Sequence, residues 1–265
     1  MKRQKQNKEY ERLTFGGHLE VFRKMLFRVI SLTVVISFLV FYFKKQTFSL
    51  LLAPREWDFV TYRTIENILQ TVGWDFHFTP YYIKMISTDL SAQFMTHLST
   101  SIYLGLLIAS PYILWELFRF TIPALNESEK KNSVGVAISM YLLFAMGVLM
   151  NYFVIFPVSF RFLSTYQVDS SIESTITLAS YIKTFSTLTF VMGLVFQLPI
   201  VSFILAKIGV LNANFLKQYR KHAFVVIMIV SAIITPPDLF TLFLVSLPMY
   251  LLYEVCILIT KRVRR

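Results

Sequence analysis

Three stretches of this chain are each long enough to cross a bilayer and hold no carboxylate, lysine or arginine: Leu90–Trp115 (26 residues), Asn132–Phe160 (29) and Thr184–Ala206 (23). A helix needs about 20 apolar residues to cross a hydrocarbon core about 30 Å thick, so each of these can span. Val29–Phe43 is a fourth run of 15 residues, which extends back to Met25 if Arg28 snorkels to the interface. Ala223–Tyr253 holds one charge, Asp238, in the turn-forming run Thr235-Pro236-Pro237-Asp238, and reads as two short helices joined as a hairpin. The expected fold is all-α: a polytopic membrane protein of six transmembrane helices, the last two short, with both termini inside and one membrane domain over 1–265.

The charge distribution sets that orientation. The net charge of +11 would suit nucleic acid, but the segments 1–28, 116–131, 207–222 and 261–265 carry 19 of the 26 Lys/Arg. This is the positive-inside asymmetry, and it agrees with an even number of spans. A chain that is 55% hydrophobic and 16% aromatic has too little polar surface for a soluble domain. The expected location is the cytoplasmic (inner) membrane, with the lipid bilayer as partner and nucleic acid excluded.

Between the spans, residues 1–24 read as a cytoplasmic amphipathic helix that continues into the first span. Residues 44–89 form a long outer loop with Pro54 and Pro80 as breakers, a cap too small for an independent core. The third span is expected to close at Asn151-Tyr152 and Phe156-Pro157, with a short helix near Ser159–Leu163. Residues 116–131 form an inner loop broken at Pro123, and 223–260 form the hairpin. Two 15-residue hairpin helices would rise about 22 Å each, short of the hydrocarbon core, so either their flanking residues snorkel or the bilayer thins locally.

Catalytic and metal chemistry find no support. Cys256 is the single cysteine, and the four histidines (His18, His77, His97, His222) lie on different segments without ligand spacing. The chain is not read as an enzyme, and no cofactor or metal is expected. The inner-face carboxylates admit two readings. Glu127 and Glu129, just after Pro123, suit a helix N-terminus electrostatically, or form an anionic clamp for a guanidinium, which carboxylates hold in bidentate geometry. Glu20 is either a second jaw or a solvated residue pairing with Lys24 one turn on. Gln197, beside Pro199 within the fourth span, must face protein, a wet recess or a partner.

Taken in order, several blocks resemble one family. They are His18-Leu19 with Arg23-Lys24, Pro111, Phe120-x-x-Pro123-Ala124-Leu125-x-x-x-Glu129-Lys130-Lys131, Tyr152-Phe153-x-x-Phe156-Pro157, Phe196-Gln197-Leu198-Pro199, Thr235-Pro236-Pro237-Asp238 and Pro248-Met249-Tyr250-x-x-x-Glu254. The set resembles TatC, the receptor subunit of the twin-arginine protein translocase, over about residues 15 to 260. The resemblance implies a receptor that binds twin-arginine signal peptides of folded precursors at the cytoplasmic face. It also implies assembly with single-span TatA/TatB-type partners, self-association in a larger complex, and transport driven by the proton-motive force.

By position, the resemblance assigns signal-peptide binding to Glu129, Arg23, Glu20, Phe120, Pro123 and Leu125. It assigns partner-subunit contact to Gln197, Thr235 and Tyr152; Pro236, Pro237 and Asp238 are expected to be structural, as is the breaker Pro54. One block departs from the family pattern His-Leu-x-Glu-Leu-Arg: Val21 stands at the glutamate position, with Glu20 one residue earlier, about 100° round the helix. The competing reading is a secondary transporter of a small solute or ion, which would call for charged residues at mid-membrane in facing spans.

Overall fold

The computed structural model describes residues 15–121, 133–169, 171 and 175–263. Eleven α-helices carry the described chain: α1 (Phe15–Tyr42), α2 (Lys44–Leu52), α3 (Val60–Thr71), α4 (Ala92–Thr121), α5 (Ser133–Met150), α6 (Phe156–Thr165), α7 (Leu178–Val195), α8 (Leu198–Lys207), α9 (Ala213–Gln218), α10 (Arg220–Ile234) and α11 (Leu239–Val263). Five of the resulting stretches are long and apolar enough to cross a membrane: Leu19–Tyr42, Ala92–Arg119, Val134–Thr165, Leu178–Lys207 and Leu239–Val263. The sixth expected span is α10, which is 15 residues long. The protein is thus a polytopic all-α membrane protein.

Two boundaries differ from expectation. The last helix is not short: α11 runs 25 residues and passes the expected stop at Tyr253. Glu254 does not end it, because its carboxylate accepts from Arg220 at 2.6 Å and the charge is matched. Of the two hairpin helices, α10 alone is therefore shorter than a hydrocarbon core. The third span does not close at Asn151 to Pro157 either. A π turn, Asn151–Ile155, carries the chain from α5 straight into α6. The Phe156 N–H reaches back five residues to the Asn151 carbonyl, so Pro157 falls in the first turn of the next helix, where its missing N–H costs little. The short helix expected near Ser159–Leu163 lies within α6.

The chain forms two compact units, one from residues 1–42 with 101–142, the other from 43–100 with 143–265. In the first, Met25, Val40, Ala109, Leu114 and Phe118 are buried. Here α1 and α4 touch at Gly105, where a Cβ would run into Ser37. Small residues let transmembrane backbones approach, which supplies packing where lipid removes the hydrophobic drive between helices. The rest of α1 presents Phe27, Phe38, Leu39 and Tyr42 outward, as a lipid-facing helix does.

The second unit centres on Leu51, Tyr62, Ile155, Leu188, Met192, Val245 and Ile257, all essentially without exposure. Gly147 on α5 meets the α7 backbone, where an added Cβ would lie 2.9 Å from the Met192 carbonyl carbon and 3.0 Å from the Phe196 Cβ. Gly147→Ala is expected to cost about 1–3 kcal/mol through overpacking. Gly135→Ala, where a Cβ meets nothing within 4 Å, should be neutral or slightly stabilising. Thermal unfolding of both variants in detergent checks the contrast.

The long 44–89 segment has a structural role that its sequence did not reveal. Arg161 on α6 sits over three rings, 4.3 Å from Phe78, 4.8 Å from Tyr81 and 5.1 Å from Tyr62, and donates to the Thr79 carbonyl at 2.9 Å. Met85 and Ile86 pair in parallel with Ile176 and Thr177, tying this segment to the next loop. Burial pushes the Tyr62 and Tyr81 phenols up, so both stay protonated hydrogen-bonding groups near neutral pH.

Candidate functional site

Of the residues expected to bind peptide, Glu20 and Arg23 fall in the N-terminal half of α1 and Phe120 at the C-terminal end of α4, within the first unit. α1 is continuous from Phe15, which places Glu20 and Arg23 on the same helix as the first span. Glu20 is exposed and accepts Lys24 at 2.8 Å, the solvated i to i+4 pair that was one of its two readings. Arg23 and Lys24 are exposed, and Val21 is half-buried. Phe120 lies in the last turn of α4. Pro123, Leu125 and Glu129, with Glu127, lie outside the described residues.

A feature that sequence reading missed stands beside these positions. Arg28 does not simply snorkel: its guanidinium donates to Glu116 Oε2 at 3.0 Å, and Tyr112 donates to Glu116 Oε1 at 2.8 Å. Glu116 is 5% exposed, so a carboxylate near the end of the second span is held by two donors. The signal was present in the sequence. Arg28 is the one charge in the apolar stretch from Met25 to Phe43, and an apolar helix keeps such a charge when a partner awaits it. Arg23, Lys24, Phe27 and Arg28 together line a groove of about 410 Å³.

The residues assigned to partner contact and to turns belong to the second unit. Tyr152 is engaged within the chain. Pro54 has no N–H to return to the carbonyl four residues back, Leu50, and the Tyr152 hydroxyl donates to that carbonyl at 2.9 Å. The same device recurs nearby. Pro157 cannot serve the Phe153 carbonyl, which accepts from the Thr61 hydroxyl. Tyr62 donates to the Pro157 carbonyl at 2.7 Å, and Tyr181 to the Leu51 carbonyl at 2.8 Å. These hydroxyls satisfy backbone groups at helix breaks that lipid would leave bare. Tyr152→Phe and Thr61→Val should each cost about 1 kcal/mol; the double variant, read by thermal unfolding in detergent, should cost about the sum.

Gln197 forms the joint between α7 and α8. Its N–H donates to Leu194 and its carbonyl accepts from Ile200 and Val201, while Pro199 occupies the first turn of α8. The residue is 8% exposed, within protein as the cost of a bare amide in lipid demands. Thr235 is buried and donates to the Ser231 carbonyl at 2.9 Å, closing α10. Thr235 is extended, as a residue before proline should be. Asp238 then caps α11, its Oδ1 accepting from the Thr241 N–H at 2.6 Å. Pro236, Pro237 and Asp238 lie in the turn between α10 and α11. Among the described residues, no group of His, Cys, Asp and Glu could hold a metal ion.

Comparison with known proteins agrees with this geometry. The model of the family "TatC: Sec-independent protein translocase protein (TatC)" matches residues 17–248. A Sec-independent protein translocase protein TatC from Blattabacterium sp. subsp. Periplaneta americana (strain BPLAN) is 30% identical over 256 residues, 95% of this chain and 96% of that protein. Its namesake from Carboxydothermus hydrogenoformans is 30% identical over 253 residues, 95% and 94% of the two chains. The crystal structure of a twin-arginine translocase receptor TatC superposes with a TM-score of 0.75 at 29% identity, covering 94% of this chain and 100% of that one. Ordered motifs, helical architecture and near full-length similarity converge: the chain belongs to the TatC family of Sec-independent protein translocase proteins.

Proposed function

We propose that this translocase protein is the receptor that binds twin-arginine signal peptides of folded precursors at the cytoplasmic face. Both termini lie inside, the chain resides in the inner membrane, and it organises single-span TatA/TatB-type partners for export driven by the proton-motive force. The observation that carries the reading is similarity over 94% of the chain to a protein described as the twin-arginine translocase receptor. It is joined to the block Pro123-Ala124-Leu125-x-x-x-Glu129 in this sequence. Glu129 is the main guanidinium acceptor in this reading, with Arg23, Phe120, Pro123 and Leu125 around it. Glu20 contributes less, because it stands one residue before the family's glutamate position, about 100° round the helix. Single-span partners dock at the face around Gln197 and the α10–α11 turn at Thr235, two residues that are themselves buried and shape that face from beneath. Tyr152 supports that region from within, since its hydroxyl is already committed to the Leu50 carbonyl.

The transporter reading gains nothing from the buried acid. Glu116 is matched by Arg28 and Tyr112 and lies near the end of its helix rather than at its middle. Photocrosslinkers placed singly across 116–131 and along the N-terminal turns of α1 test the receptor reading. A labelled twin-arginine peptide should be captured there and not from positions in the 44–89 segment. Capture only from the 44–89 segment would reverse both the orientation and the binding face.

A further inference from the structure

We propose that the groove lined by Arg23, Lys24, Phe27 and Arg28 is a binding site for the headgroup of an anionic phospholipid. At 100° per residue these four side chains share one face of α1 about 140° wide, three cations flanking one ring. The face falls within the membrane-spanning stretch Leu19–Tyr42, at its first two to three turns. A soluble anion would gain nothing from Phe27, which is 70% exposed beside the cations. A phospholipid satisfies both parts, phosphate on the cations and acyl chain along the ring. Basic pockets at the cytoplasmic ends of transmembrane helices suit anionic headgroups for this reason.

Arg28 is the placed member of the set. Glu116 and Tyr112 fix one side of its guanidinium, and a guanidinium carries five donors, so others remain for a phosphate. Lys24 is tied to Glu20 only on an exposed surface, where such a pair is worth little and yields to a better anion.

The test is native mass spectrometry of the full chain released from mixed micelles holding phosphatidylglycerol and phosphatidylcholine in equal amounts. The readout uses no peptide and no orientation, so it stands or falls apart from the receptor reading. The wild-type chain should retain phosphatidylglycerol over phosphatidylcholine by about tenfold, and Arg23→Gln/Lys24→Gln should lower that preference about fivefold or more. Lys44→Gln/Lys45→Gln, which removes the same charge from α2, should leave it unchanged. Melting temperature in detergent confirms that both variants are folded. Equal retention of the two lipids by the wild type overturns the proposal. So does an undiminished preference in Arg23→Gln/Lys24→Gln, or an equal loss in the Lys44/Lys45 variant.

Discussion

Arg28→Ala is expected to lower stability by about 3 kcal/mol, more than Glu116→Ala, although the two remove the same ion pair. The asymmetry follows from burial. The Glu116 side chain is 6% exposed and the Arg28 side chain 50%. Removing arginine strands a carboxylate away from water with only Tyr112 as a donor, whereas removing glutamate frees a guanidinium that already reaches outward. Replacing both by leucine should recover most of the loss, because an apolar pair of similar volume carries no desolvation cost. A double-mutant cycle followed by thermal unfolding in detergent gives the ordering. Equal losses in the two single variants would mean that Glu116 is better solvated than its position implies.

Glu129→Ala should weaken twin-arginine peptide binding about ten- to hundredfold while leaving insertion intact. A charge-assisted bidentate pair at a partly desolvated site is worth about 1.5–3 kcal/mol. Glu20→Ala should cost far less, since its carboxylate is exposed and stands about 100° round the helix from the family's glutamate position. Affinity of a labelled peptide for the purified variants separates the two. A Glu20 defect as large as that of Glu129 would place the second arginine on α1 and make Lys24 the group displaced.

The sequence carried the architecture because charge in a bilayer is costly, so uncharged runs mark spans almost directly. It failed where a charge is matched inside the fold. Glu254 reads as the end of the last span, yet Arg220 matches its charge and α11 continues past it to Val263. Arg28 looked like a snorkelling residue until Glu116 was found, because a partner 88 residues away leaves no local pattern. Pro157 looked like a stop, and the π turn that absorbs it depends on Thr61 and Tyr62 reaching across from α3. The turn at Thr235 to Asp238 was legible because its rules are local: extended backbone before proline, then an aspartate capping the next helix. The residues proposed to bind peptide are singled out by motif order alone, since no spacing rule separates Glu129 from the other inner-face carboxylates.

The central claim is that the inner face recognises paired guanidinium groups. It is tested most directly by titrating the purified, reconstituted wild-type chain with two labelled signal peptides that differ only in an Arg-Arg or Lys-Lys pair. Guanidinium forks meet carboxylates in bidentate fashion and ammonium groups do not. The account predicts tighter binding of the Arg-Arg peptide by about tenfold or more, with the difference abolished in Glu129→Gln. Equal affinity for the two peptides, or a difference that survives Glu129→Gln, would contradict it.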